Sequence, residues 1–378
     1  MIVPRSHISD LPAVHHGSIS RAELAALGFG PEGVLDFSVN TNPLGPSPRA
    51  LEAARSVDWA RYPDDGAPEL RRALAARVGR TEAEVIVGNG SIELIWLLAL
   101  AFLAPNDPVV IVGPTFGEYR RAAGIVGAVV HDYTTEPTRS FRVDLGAVGD
   151  LVVATRARMV FLCNPNNPTG ATVSPSAIGS LARGFPRSVI VVDEAYQNFL
   201  DEPPSKESLV AYDNVVLLRS LTKDYALPGL RLGYALAPAS VISALDRVRP
   251  PWNVNAVACA AGLAALGDVE HLERARDEVH RARIYLTGEL GALGWYAVPS
   301  TANFLLVDVG DAAWVRAALL QRGICVRDCS SFGLPTYIRI GLRTVAECER
   351  LVVAMAAVGR APTQPVTLNN GEKNDDVQ

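Results

Sequence analysis

Cysteine is sparse. Five residues, an odd number scattered through 378, argue against a disulfide framework and point to structural thiols. Cys325 and Cys329 are near each other, but no Cys-x-x-Cys or His-x-x-x-His pattern accompanies them, so no metal site is expected. The Gly-x-Ser-x-Gly turn of a serine hydrolase is also missing. No uncharged apolar run reaches the roughly 18 residues a membrane span needs. The richest run, residues 94–103 (LIWLLALAFL), is shorter and is followed closely by Pro105. Positive charge is not in excess: 35 Lys and Arg stand against 40 Asp and Glu, for a net charge of −5. That balance argues against nucleic acid or an anionic membrane as partner. The opening residues, MIVPRSHISD, lack the basic-then-apolar build of a signal peptide, and a cytoplasmic location is expected.

What the chain does have is length and a large apolar fraction, 49% of its residues, enough for a sizeable core. Short apolar runs at 85–87, 109–112, 159–163, 189–192, 215–218 and 232–236 read as strands. Helical stretches lie between them, for example at 68–78, 91–103, 116–127 and 175–183. Continuous strands alternating with helices predict an α/β fold, with a mainly parallel sheet sandwiched by helices. After residue 250 the pattern changes. A long charged helix at 269–293 precedes strands at 304–307, 324–327 and 337–341 and helices at 314–322 and 345–358, as in a smaller α+β domain. The expected division is an N-terminal arm (1–45) belonging with the small domain and the active site, a large ligand-binding domain (46–250), a small C-terminal domain (251–361) and a disordered tail (362–378).

The chemistry is concentrated between residues 88 and 233. Ser220-Leu221-Thr222-Lys223 is followed by Pro228-Gly229-Leu230-Arg231-Leu232-Gly233. A lysine that forms a Schiff base needs a buried place where its amine can be neutral. Two flanking hydroxyls and Arg231 suit a bound phosphate dianion, which an arginine can grip with two parallel bonds. Asp193, in Val191-Val192-Asp193-Glu194-Ala195-Tyr196, ends an apolar strand, the edge at which open α/β sheets bind ligands. A carboxylate there can keep the pyridinium nitrogen of pyridoxal 5'-phosphate (PLP) protonated, while Tyr196 reaches the cofactor's phenolic oxygen. The turn Cys163-Asn164-Pro165-Asn166-Asn167-Pro168-Thr169-Gly170 also follows a strand and can aim Asn167 at that oxygen. Gly88-Asn89-Gly90-Ser91 opens a helix at Ile92 and offers main-chain N–H groups to an anion, without the Gly-Lys-Ser/Thr of a nucleotide loop. Phe116 follows another strand and can stack on a flat ring. Singly, each of these is also compatible with a plain turn, a helix start or a core residue.

In this order, CNPNNPTG, VVDEAY and SLTKDYALPGLRLGY resemble the signature of the class I/II, fold type I aminotransferases, over residues 36–359. The resemblance implies PLP as cofactor, with Lys223 for the Schiff base and proton transfer, Asp193 for the ring nitrogen, and Asn167 and Tyr196 for the phenolic oxygen. Ser220, Thr222, Arg231 and the Gly90, Ser91 and Ile92 amides would hold the phosphate, and Phe116 would cover the ring. It also implies a homodimer, in which Tyr62 of Arg61-Tyr62-Pro63-Asp64 reaches the neighbour's phosphate. Arg339 would take the α-carboxylate of a small anionic amino substrate.

Within that family, residues 36–46 (DFSVNTNPLGP, with Asn40 facing the substrate), His16-Gly17, Pro251-Trp252-Asn253-Val254-Asn255 and Arg327-Asp328-Cys329 look like L-threonine-O-3-phosphate decarboxylase of cobalamin biosynthesis. That likeness implies that His16 and Arg327 bind a substrate phosphate, and it favours a decarboxylase. Histidinol-phosphate aminotransferase shares most of the core and is the alternative. Asp224 departs from both, standing where an aromatic residue is common. Two further readings stay open: a PLP enzyme of a specialised pathway performing elimination or carbon–carbon bond formation, and a non-catalytic PLP-fold binding protein.

Overall fold

A computed structural model describes residues 2–9, 11, 19, 21–30, 33–200 and 209–359. The expected tail at 362–378 and the candidate His16 lie outside the described residues. In chain order the strands are β1 Leu35–Asp36, β2 Val85–Asn89, β3 Pro108–Gly113, β4 Val129–Thr134, β5 Met159–Cys163, β6 Val189–Asp193, β7 Val215–Ser220, β8 Leu232–Leu236, β9 Tyr296–Ala297, β10 Phe304–Asp308, β11 Ile324–Cys325, β12 Arg327–Asp328 and β13 Tyr337–Gly341.

A seven-stranded sheet runs in the order β2-β8-β7-β6-β5-β3-β4. Its neighbours pair in parallel except at β8, which is antiparallel to both β2 and β7. The inner strands carry apolar residues on both faces because both faces are covered. Successive residues divide between two cores: Val110, Val160, Ile190 and Leu217 enter one, and Ile111, Phe161, Val191 and Leu218 enter the other. Each large apolar side chain buried in this way contributes roughly 1.5–3 kcal/mol. The helix Gly90–Phe102 is apolar nearly all round and buries Leu94, Ile95, Leu97 and Leu98 against the sheet. Pro68–Val78 starts with proline and stops at Gly79, whose φ of 66° is the left-handed conformation glycine adopts readily.

A four-stranded antiparallel sheet, β12-β13-β10-β9, forms the second layer. Ile338 and Ile340 of β13 join Val279, Leu286, Leu305 and Leu351 in its core under the helices Val269–Ala292 and Val345–Val358. Strand alternation therefore sends Arg339 to the opposite face. Past residue 250 the helix Ala256–Leu266 still contributes Ala258, Ala261 and Ala265 to the core of the seven-stranded sheet. Residues 324–327, expected as one strand, are divided: β11 pairs in parallel with β1, and β12 pairs with β13. The break falls at the buried Val326, where the chain passes from one sheet to the other. Among the described residues no helix is long and apolar enough to cross a membrane.

This topology gathers the motifs. β3, β5, β6 and β7 end on one edge, delivering Phe116, Asn167, Asp193 and Lys223 to it. β8 runs the other way, so its beginning lies on that edge and brings Arg231 beside the start of Gly90–Phe102. That edge is where a doubly wound sheet binds its ligand.

Candidate active site

A cavity of about 1160 Å³ opens there, between the edge of the large sheet and the Arg339 face of the small one. Of the residues singled out from the sequence, Ser91, Ile92, Phe116, Asn167, Asp193, Tyr196, Ser220, Thr222, Lys223, Arg231, Asn40, Arg327 and Arg339 all line it. Gly90 lies directly under Arg231. Tyr62 is not in the cavity. Its ring is 79% exposed and stands 4.7 Å from that of Trp252.

One end of the cavity is cationic and crowded. Arg231 has a φ of 55°, in the left-handed region, which turns its side chain toward Gly90. A Cβ on Gly90 would meet Arg231 Nη2 at 2.8 Å, and one on Gly233 would meet the Ser91 nitrogen at 2.6 Å. At Gly233, where the neighbours are main-chain atoms, only glycine allows so close an approach. Ser220 Oγ and Thr222 Oγ1 are 2.7 Å apart beside it, both buried. The helix Gly90–Phe102 starts at this corner, with the Ser91 nitrogen against Gly233, and Glu93 Oε2 accepts from the Asn89 N–H at 2.6 Å.

The middle holds the titratable groups. Lys223 is half-buried, and burial, then Arg339 and Arg231, push its amine down to about 8 against the pull of Asp193. An appreciable fraction of the amine is therefore neutral near pH 7.5. Asp193 is buried. Burial pushes its carboxyl up to about 6, and the hydrogen bonds from Tyr119 and the Ala195 N–H hold it down. Burial likewise raises the Tyr196 phenol to about 12, with Arg339 opposing, so it stays protonated at neutral pH.

The far wall holds two guanidiniums. Arg327 and Arg339 are register partners across β12 and β13. Arg339 donates to Asn167 Oδ1 and to the Ser38 carbonyl at 2.7 Å. Arg327 donates to Ser331 Oγ at 2.7 Å and lies over the Phe332 ring. Burial, then the charge of Arg339, lowers the pKa of Arg327. Two like charges side by side on one wall suit an anion. Asn40 is buried beside them, and neither atom of its side-chain amide has a hydrogen-bond partner among the described residues. No group of three or more His, Cys, Asp or Glu able to hold a metal occurs among the described residues.

Three features were not read from the sequence. Tyr119 donates to Asp193 Oδ2 at 2.7 Å. Its signal was its place one helical turn after Phe116. Asn42 clamps the lysine segment: its N–H donates to the Lys223 carbonyl at 2.7 Å and its amide to the Asp224 carbonyl at 2.9 Å. The Asp224 side chain is absent from the cavity lining and instead accepts from the Asn198 amide and the Tyr225 N–H. The carboxylate beside the lysine is thus aimed away from the site.

A mainly parallel sheet with an antiparallel β8, a lysine after β7 and an acid at the end of β6 define a cofactor-dependent α/β enzyme. The family "Aminotransferase class I and II" matches residues 32–355, and the chain belongs to it. It is an enzyme of that family, has fold type I, and uses PLP as cofactor. The chain is 42% identical to a histidinol-phosphate aminotransferase of Symbiobacterium thermophilum over 86% of its own length and 90% of the relative's. It is 38% identical to one of Moorella thermoacetica, covering 87% and 86% of the two chains. Among solved structures, histidinol-phosphate aminotransferase of Sinorhizobium meliloti in complex with PLP aligns with a TM-score of 0.84 at 26% identity, over 93% of this chain and 96% of that one. Aspartate aminotransferase of Thermus thermophilus with maleate aligns with a TM-score of 0.81 at 25% identity, over 95% and 100%. These likenesses support the aminotransferase alternative over the expected decarboxylase of cobalamin biosynthesis. The motifs that favoured decarboxylation are short, whereas the likeness to the named transaminases runs through most of the chain.

Proposed function

We propose that this chain transfers the amino group of a small phosphorylated amino substrate, of the histidinol-phosphate type, to a 2-oxo acid. The observation that carries this reading is the Arg327–Arg339 pair, which faces a cavity whose opposite end suits the phosphate of a cofactor. The pair can then serve both half-reactions, holding the phosphate monoester of the amino substrate, which has no carboxylate, and in turn the carboxylates of the 2-oxo acid.

The residues present fit PLP. The glycine-walled corner formed by Gly90, Ser91, Ile92 and Arg231, with the Ser220 and Thr222 hydroxyls, suits its phosphate. Asp193 suits the ring nitrogen, Asn167 and Tyr196 the phenolic oxygen, and Phe116 one face of the ring. When bound, PLP supplies an electron sink for the substrate's α-carbon. Lys223 anchors the cofactor covalently at rest and moves a proton at that carbon during turnover, for which its lowered pKa is suited. Arg339 orients Asn167: by donating to Oδ1 it fixes the amide so that Nδ2 is the outward donor. Asn40 and Arg339 grip the α-carboxylate of the 2-oxo acid, and Arg327 with His16 grips the phosphate of the amino substrate. Tyr62, exposed and outside its own cavity, completes the phosphate corner of a second copy, which makes the working form a homodimer.

The test is product analysis by mass spectrometry. With histidinol phosphate and 2-oxoglutarate, glutamate should accumulate in step with the phosphorylated oxo product. Loss of carbon dioxide from threonine phosphate, with no glutamate formed from histidinol phosphate, would overturn the reading.

A further inference from the structure

Asp193 accepts two hydrogen bonds among the described residues, one on each oxygen. The Ala195 N–H donates to Oδ1 at 3.0 Å, and the Tyr119 hydroxyl donates to Oδ2 at 2.7 Å. The first is main chain and fixed by the turn after β6. The second comes from a different element, the helix Glu118–Ile125, which begins two residues after Phe116. Tyr119 is fully buried, stacked on Phe161 with centroids 4.9 Å apart and planes 8° apart, and edge-on to Phe116 at 5.7 Å. Its hydroxyl is therefore delivered to the acid by a ring that two aromatic neighbours hold in place.

We propose that Tyr119 is a positioning residue that aims the Asp193 carboxylate at the cofactor's ring nitrogen and ties that aim to the ring-covering Phe116. This rests on reading Asp193 as the partner of that nitrogen. A carboxylate with both oxygens committed cannot rotate, so its remaining lone pairs keep one direction. The titratable groups facing Asp193, besides Tyr119, are Glu194, itself paired with Arg219 at 2.9 Å, Lys223, the Cys163 thiol and the Tyr196 phenol. Against burial, which favours the neutral acid, the Tyr119 hydrogen bond is the strongest influence keeping Asp193 ionised. Burial and the neighbouring carboxylate raise the phenol well above its ordinary range, so Tyr119 remains a donor across physiological pH.

Tyr119→Phe removes one oxygen and leaves the ring stack. PLP affinity of the wild-type and variant proteins should be measured by fluorescence titration from pH 5.5 to 9, alongside the absorbance titration of each holoenzyme. Asp193 must be ionised to pair with a protonated ring. In the variant, the pH below which affinity falls should therefore move up by at least about one unit. For a one-unit move from about 6, affinity should be roughly threefold weaker near pH 6.5, roughly eightfold weaker at pH 5.5 and close to wild type at pH 9. In an Asp193→Asn background the added Tyr119→Phe change should have no pH-dependent effect. A loss of affinity equal at every pH, as a mere packing defect would give, or no loss at all, refutes the role of Tyr119. If Asp193→Asn alone leaves affinity and its pH dependence unchanged, the reading of Asp193 fails instead.

Discussion

The corner where β8 meets the start of Gly90–Phe102 can be tested with one methyl group. A Cβ on Gly233 would lie 2.6 Å from the Ser91 nitrogen, 2.9 Å from the Gly90 carbonyl carbon and 3.0 Å from the Arg219 carbonyl oxygen. All three are main-chain atoms, so no side chain can swing aside to relieve the contact. Either β8 separates from β7, or the helix start retreats and takes the Ser91 N–H with it. Overpacking of this kind costs typically about 1–3 kcal/mol. If the retreat of the helix start absorbs it, a tenfold loss per roughly 1.4 kcal/mol makes PLP binding about five- to hundred-fold weaker in Gly233→Ala. The assay is fluorescence titration of cofactor-free protein with PLP, paired with urea unfolding to catch the alternative in which the sheet yields. Gly229→Ala is the control, because a Cβ there meets nothing within 4 Å. A Gly233→Ala protein that binds PLP within twofold of wild type and unfolds at the same urea concentration would refute the crowded corner.

Further expectations concern other parts of the site. Lys223→Ala should abolish the visible absorbance of lysine-bound cofactor, and an unchanged spectrum would mean another residue carries it. Arg327→Ala removes a charge-assisted contact worth about 1.5–3 kcal/mol, so kcat/KM for a phosphorylated substrate should fall by at least tenfold. An analogue lacking the phosphate should change less than twofold, and equal losses for both compounds would move the phosphate elsewhere. Burial pushes the Asp224 carboxyl up to about 7, so the folded state holds its proton more tightly than the unfolded chain. The associated stability is present below about pH 4 and is lost as pH rises through 7, by up to about 1.4 kcal/mol per unit. Urea unfolding should thus show Asp224→Asn gaining on wild type between pH 5 and pH 8, and a constant difference would contradict it. Sedimentation should show a dimer, and full activity in a dilution where only monomer exists would remove the role of Tyr62.

Much of the large sheet was legible because its inner strands are buried on both faces and read as unbroken apolar runs. β4 was not, because none of this edge strand's residues is fully buried, and VVHDYT carries no such run. The direction of β8 was also hidden, since an apolar run gives no sign of which way it points. That CNPNNPTG, DEAY and SLTK would meet in one cavity was readable because each sits in a turn beside the strand that positions it. Asn42 and Tyr119 were not, because their partners are far along the chain, 181 and 74 residues away. No local pattern of spacing records a contact at that separation. Asp224 adjoins the lysine in sequence, yet its side chain leaves the cavity, which only the local backbone decides.

The grip of Arg339 on the Ser38 carbonyl spans 301 positions, and the first strand pairs with Ile324–Cys325. On a ribosome adding roughly 5–20 residues per second, the segment around Ser38 waits about 15–60 s for the arginine that will hold it. The large sheet can form during that interval, because its strands all lie between Val85 and Leu236. The site cannot. A chain released before β13 is made has a sheet edge and its lysine, but β1 and the loop after it lack their partners from the small sheet. Completion of the cavity's Arg339 wall therefore reports that synthesis has passed Arg339, and truncated products lack that wall.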